Sequence, residues 1–306
     1  MTNMVKQYTM NNIGGMNMPI RILNKAIDEK YSKLVEPNLY FDAIFRPGVT
    51  CSDRYKDSGA GVIYVHKLGA KTIEPALPGG VYNHQTTQDT LIQIGINNEY
   101  AYSEQISVVA EDQTAYSIQV AEMEDILATC KEARDLSGLA CLGYEGTAIT
   151  SATALTAANI KGQILAVRAA LAKTKVKPTT VLCSADTYAL ILEAAGSQFT
   201  PVINDKTVSE GKVGRWLGLD FIECPAMVAT TAKYNDYSGT TRTVNLSGID
   251  FIMYNKDALS IVDSLNDAGV TPGRPDFWGS YVQVNMLSGF RVTNSACVAV
   301  RSYSAS

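Results

Sequence analysis

The chain has 306 residues, of which 46% are hydrophobic and only 18% charged, with a net charge of −4. Such a composition excludes intrinsic disorder, which needs low hydrophobicity together with high net charge. The acidic balance speaks against a dedicated nucleic-acid binder, whose footprint is a basic face. The length allows one large domain or two ordinary ones.

The first residues, MTNMVKQYTMNNIGGMNMP, lack the apolar core of a targeting segment. No window approaches the 18 unbroken apolar residues of a membrane span. Cys51, Cys130, Cys141, Cys183, Cys224 and Cys297 are scattered with no CxxC pair. A disulfide framework belongs to short secreted chains, so all six are expected to be reduced thiols.

Residues 1–24 are polar and rich in Asn and Met, with no period of 3.6 or 2, and read as an extended arm. Residues 25–35 place Ile27, Tyr31 and Leu34 on one face of a short helix that ends before Pro37. GVIYVHKL (61–68) and VYNHQTTQDTLIQIGI (81–96) read as two strands around a tip holding Pro75, Pro78, Gly79 and Gly80. Together they predict a long projecting hairpin. Tyr116, Val120, Met123, Leu127 and Cys130 step by 4, 3, 4 and 3 and predict a helix over 111–136, with Gly138 as its stop.

After residue 150 the pattern alternates. A helix over 156–174 carries Ile160, Ile164, Val167 and Leu171 on one face. A strand follows at 179–183 and then a helix at 184–196, with Ser184 or Asp186 as N-cap. Strands are expected at 219–224 and 249–254, then a helix from Asp257 to Leu265. Residues 281–301 read as two strands about a turn at Leu287-Ser288-Gly289.

The sequence offers no catalytic, cofactor-binding or metal-ligating set. His66 and His84 are the only histidines, both on the hairpin and without a Cys pair, which makes a poor zinc set. GxSxG, HExxH, GxxxxGK[ST] and GxGxxG are absent, the nearest miss being Gly59-Ala60-Gly61 with Tyr64 in the third glycine's place. Glu122, Glu124, Asp125, Glu132 and Asp135 read as the solvated face of the long helix. Tyr40, Tyr55, Tyr64, Tyr82, Tyr100 and Tyr102 crowd the first third and suit interfaces, since Tyr joins apolar area to a polar tip.

Four stretches in this order carry a resemblance. They are 61–75 followed by 88–107, the helix end EDILATCKEARD (124–135), VLCSADTYALILEAAG with VSEGKVGRWLGLDFIECPAM (181–227), and GIDFIMYNKDALSIVDSL with YVQVNMLSGFRV (248–292). The order resembles the major capsid proteins of tailed bacteriophages with the Hong Kong 97-like fold, over roughly residues 40–300. The resemblance implies an α+β (mixed α/β) fold without enzymatic activity or cofactor. It divides the chain into an N-terminal arm and short helix (1–36), an extended loop (59–90) and an axial domain (150–265). A peripheral domain comprises 37–58, 91–149 and 266–306 with the spine helix 111–136. It further implies self-assembly through hexamers and pentamers into an icosahedral virion shell around double-stranded DNA, formed in the host cytoplasm and without a membrane. A separate scaffolding protein, a portal and a decoration protein are the implied partners. The arm is too short to be a cleaved scaffolding segment. An encapsulin-type nanocompartment shell and a hydrolase built on residues 150–225 are the alternative readings.

Overall fold

The computed structural model describes residues 44–55, 61–69, 71, 73, 75, 86, 89–107, 118–195, 212–272 and 278–304. The expected arm and its short helix lie outside these residues, as does most of the hairpin tip.

Two strands, β1 (Val62–Leu68) and β2 (Asp89–Gly95), pair antiparallel from Val62 opposite Gly95 to Leu68 opposite Asp89, which is the expected hairpin. β3 (Asn98–Ser107) follows, and then the long helix α1 (Ile118–Glu145). At 28 residues α1 spans about 42 Å. It runs through Gly138 instead of stopping there. The glycine is needed for packing, since a Cβ at this position would come 2.7 Å from the Phe45 ring. The helix stops at Gly146, where an added Cβ would meet the Leu142 carbonyl at 2.6 Å.

Beyond α1 lie β4 (Thr147–Ser151), α2 (Ile160–Ala172), β5 (Thr180–Cys183) and α3 (Ala185–Ala195). Ser184 caps α3 as expected, its hydroxyl accepting from the Thr187 N–H at 3.3 Å. β6 (Lys212–Trp216) and β7 (Leu219–Glu223) form a hairpin whose two linking residues, Leu217 and Gly218, both have positive φ. That is the type I′ geometry that matches strand twist. β8 (Ala232–Asn235), β9 (Thr241–Val244) and β10 (Ile249–Tyr254) come next.

The helix expected from Asp257 to Leu265 is not formed. A short 3-10 turn at Lys256–Ala258 leads into a strand, β11 (Leu259–Pro272). β11 pairs along its whole length with β12 (Gly279–Val292), so partner strands override a local 3–4 spacing of apolar residues. The turn expected at Leu287–Gly289 is also absent, because β12 is continuous there. Gly289 serves close approach instead, as a Cβ on it would lie 2.7 Å from the Gly95 carbonyl oxygen. β13 (Val298–Tyr303) completes the order.

Six strands form the main sheet in the order β4-β13-β10-β5-β7-β6. β13 belongs to residues 266–306, yet it lies between β4 and β10 in this sheet. Both faces are covered, which explains the apolar runs Val181–Cys183 in β5 and Phe251–Tyr254 in β10. On one face Val181, Phe221, Phe251 and Met253 pack on Ile160, Ile164 and Val167 of α2 and on Tyr188 and Ile191 of α3. On the other, Leu182, Ile222, Ile252 and Val300 join Leu139 and Leu142 of α1 and Phe45. A second sheet, β11-β12-β3, carries the first half of α1, where Ile126 and Cys130 pack on Ile106, Val282 and Val284. Val120 of the expected stripe is half exposed.

Candidate assembly surfaces

The β1–β2 ribbon turns one face outward. Val62, Tyr64, His66 and Leu68 alternate onto that face opposite Gly95, Gln93, Leu91 and Asp89. Tyr64 is 55% exposed, Leu68 62% and Leu91 51%. A two-stranded ribbon is marginal alone, and a contiguous exposed apolar face marks an interaction surface. The ribbon is anchored at its root. Val65, Ile94 and Ile96 pack on Val262 of β11 and Leu287 of β12. Gly95 lies so close to Tyr237 that a Cβ would sit 2.7 Å from its carbonyl oxygen. The rest of the ribbon is held by fewer groups, among them the Lys67 ammonium, which donates to the Thr293 carbonyl at 3.4 Å.

His66 and Asp89 close the outer end of the ribbon with an Nδ1 to Oδ2 distance of 2.5 Å, both side chains solvated. His84 lies outside the described residues. Among the described residues no cluster of three His, Cys, Asp or Glu could hold a metal ion, and no helix is long and apolar enough to cross a membrane. The six cysteines are free and buried. Of the tyrosines singled out by sequence, Tyr64 and Tyr102 are exposed, Tyr55 and Tyr100 half-buried, and Tyr40 and Tyr82 lie outside the described residues.

The acidic face of α1 is not solvated throughout. Glu124 and Glu132 are exposed and Glu122 and Asp125 half-buried, but Asp135 is buried. Its carboxylate accepts from the Ile44 N–H at 2.5 Å and lies 3.5 Å from the Arg134 guanidinium. Burial pushes the Asp135 carboxyl up to about 6, with the Ile44 N–H and Arg134 acting in the opposite direction. Arg134 in turn grips Asp263 of β11 with two hydrogen bonds, Nε to Oδ1 at 2.9 Å and Nη2 to Oδ2 at 2.7 Å. It also donates to the Phe45 carbonyl at 3.3 Å. Ser288 of β12 donates to the same Asp263 at 2.7 Å. One fork thus fixes the register of α1, β11, β12 and the segment entering at residue 44.

Two further charged ties serve the same end. Glu145, at the end of α1, accepts from Arg291 and from the Val292 N–H, each at 2.8 Å. Burial raises its carboxyl above the usual range. Arg301 of β13 is buried against Asp250 of β10, and donates to the Thr153 carbonyl at 2.7 Å. Removing one partner of such a buried pair leaves an uncompensated charge and costs about 3–5 kcal/mol. These groups hold elements in register. The sequence pattern missed them because the partners stand far apart in the chain, 91 residues for Asp135 and Ile44.

No protein-family model and no curated protein matches the chain. Solved structures do. The structure named for Mycobacterium phage Che8 matches with a TM-score of 0.66 at 17% identity, over 91% of this chain and 98% of that one. The capsid structure of cyanophage P-SCSP1u matches with a TM-score of 0.69 at 15% identity, over 91% and 93%. The mature capsid of bacteriophage PhiM1 matches with a TM-score of 0.61 at 14% identity, over 90% and 91%. Nine-tenths or more of each chain is covered, so the likeness is to the fold as a whole and not to one lobe. The chain therefore has the mixed helix-and-sheet fold of phage capsid proteins.

Proposed function

We propose that the chain is a major capsid protein, the repeated subunit of a phage shell. The observation that carries this reading is the end-to-end likeness to capsid structures. The hairpin supports it physically, being anchored at its root and apolar on an exposed outer face, which suits contact with a neighbouring copy. The role is structural, with no chemistry assigned to any residue.

In this reading the chain follows the Hong Kong 97-like plan. Residues 1–36 are the arm, 59–90 the extended loop, α1 the spine helix, and the lobe around the six-stranded sheet the axial domain. The sheet pairing supports counting β4 and β13 with that lobe, which extends the axial domain beyond the span 150–265 on both sides. The β11-β12-β3 sheet with α1 forms the peripheral domain. Subunits associate through hexamers and pentamers into an icosahedral shell that encloses double-stranded DNA without reading its sequence. Assembly takes place in the host cytoplasm with a separate scaffolding protein and a portal, and a decoration protein binds the finished shell.

Deleting residues 70–80 tests this. The lobes keep their buried contacts and stay folded by circular dichroism, while closed shells are lost and capsomers or single subunits remain by size exclusion and negative-stain microscopy. Normal shells from the deleted protein would remove the hairpin from assembly. A full-length protein that forms no shell or capsomer with or without coexpressed phage partners would overturn the capsid reading.

A further inference from the structure

A groove of about 420 Å³ runs between β3 and α1 on the helix-bearing face of the second sheet. Tyr100, Tyr102 and Ile126 give it an apolar lining, and Glu104, Glu122 and Asp125 bring three carboxylates to it, while the carboxylate of Glu99 at its rim accepts from Asn285 at 3.1 Å. No Lys or Arg is among the described residues that line it. A second groove of about 410 Å³ shares Thr129 and Ala133 with the first and continues along α1 past Leu136 to Val228. Tyr102 in the first is 53% exposed and Val228 in the second 69%. The surface is thus a long apolar channel with an acidic half.

The chain holds a segment of opposite character. Residues 1–27 contain Lys6, Arg21 and Lys25 and no Asp or Glu. With a net charge of −4 for the whole chain, residues 28–306 carry −7. Five of the nine methionines, Met1, Met4, Met10, Met16 and Met18, also fall in this segment. Met is the side chain that best fills irregular apolar gaps.

We propose that in the unassembled subunit residues 1–27 dock in this groove of their own chain. The chain enters the described structure at Ile44, tied to Asp135 of α1. Ile126 lies nine residues along the same helix, about 14 Å away at 1.5 Å per residue. The sixteen residues from 28 to 43 reach up to about 50 Å when extended, so the tether is ample. A tether of this length also gives the segment a high effective concentration at its own groove. The inference extends the shell reading: there, assembly exchanges this contact within one chain for an equivalent contact between copies.

Cross-linking decides between the chain's own arm and a neighbour's. Cys is placed at Asn12, Asn17 or Asn24 in turn together with Thr129→Cys, and a short bismaleimide is added to the soluble subunit. The native cysteines are all buried, and the unsubstituted chain controls for them. A link between arm and position 129 at monomer mass is expected from at least one pair. A mixture of arm-only and groove-only Cys chains is expected to give no dimer. No link from any of the three pairs, or dimers from the mixture, would overturn the proposal. Hydrogen exchange gives a second reading. Glu104→Lys with Glu122→Lys is expected to speed exchange in residues 1–27 by about tenfold, and adding Arg21→Glu with Lys25→Glu to restore it. Unchanged exchange in the first variant, or no restoration in the second, counts against docking by charge. Microscopy is read separately: shells without the link retain the capsid reading and sink this one, and a link without shells does the reverse.

Discussion

The six-stranded sheet and the β1–β2 hairpin use the same residue types and differ in what covers them. In the sheet, Phe251 and Met253 meet one layer of helices while Ile252 and Tyr254 meet another core, and all four are fully buried. In the hairpin only the root is covered, and Tyr64, Leu68 and Leu91 stay more than half exposed. The sheet completes its burial within one chain. The hairpin has chosen residues for burial that one chain does not provide. Under the proposed capsid function, stability and assembly are therefore encoded in separate places, and substitutions should separate them.

The largest loss of stability is expected in the sheet. Phe251→Ala leaves a cavity between α2 and α3 and should cost about 3–5 kcal/mol in denaturant unfolding. Arg301→Ala strands Asp250 and should cost a similar amount. An effect below about 1 kcal/mol for either would mean that the sheet is less closed than its burial implies.

A smaller effect follows pH. The Asp135 carboxyl sits at about 6 in the fold against an ordinary value of 3.8. The folded state therefore binds this proton before the unfolded state does, and the stability from this group falls as pH rises from about 3.8 to 6. The slope is at most about 1.4 kcal/mol per pH unit. Asp135→Asn should remove that component, so urea midpoints of the two proteins measured at pH 4.5 and 7 should diverge. Parallel midpoints would place the shift elsewhere.

Leu217 holds a φ of 53° in the β6–β7 turn, a conformation that suits Asn or Gly better than a large side chain. Leu217→Asn should stabilise by about 0.5–1 kcal/mol, visible as a higher melting temperature. The smallest stability effect belongs to the hairpin. Tyr64→Ser with Leu68→Ser should move unfolding by no more than about 0.5 kcal/mol, yet abolish shell formation by microscopy. A large loss of stability from this pair would erase the distinction between the two regions.

What the sequence shows and hides follows the same line. α2, α3, β5, β7 and β10 are legible because each carries its own apolar period or run. β11 is not, since Ala258, Ile261, Val262 and Leu265 step like a helix and only pairing with β12 makes the segment a strand. Gly138 looks like a helix stop until Phe45, 93 positions earlier in the chain, is placed against it. Asp135 looks solvated until Ile44 arrives. β8 and β9 are short and mostly polar at alternate positions, with no run to announce them. The outward face of the hairpin is legible as composition, but its exposure is not, since period 2 marks two faces without saying which one is bare.

The place of β13 has a consequence for synthesis. Among the described strands β4 has a single neighbour in its sheet, and that neighbour is β13. Residues 147–151 leave the ribosome long before residues 298–303. At about 5–20 residues per second the interval is roughly 8–30 s. Through that time β4 has no strand to pair with, and β10 lacks its partner on one side. A nascent chain cannot complete this sheet until translation has passed residue 303, so under the proposed capsid function the order of strands acts as a clock that delays polymerisation until each subunit is complete.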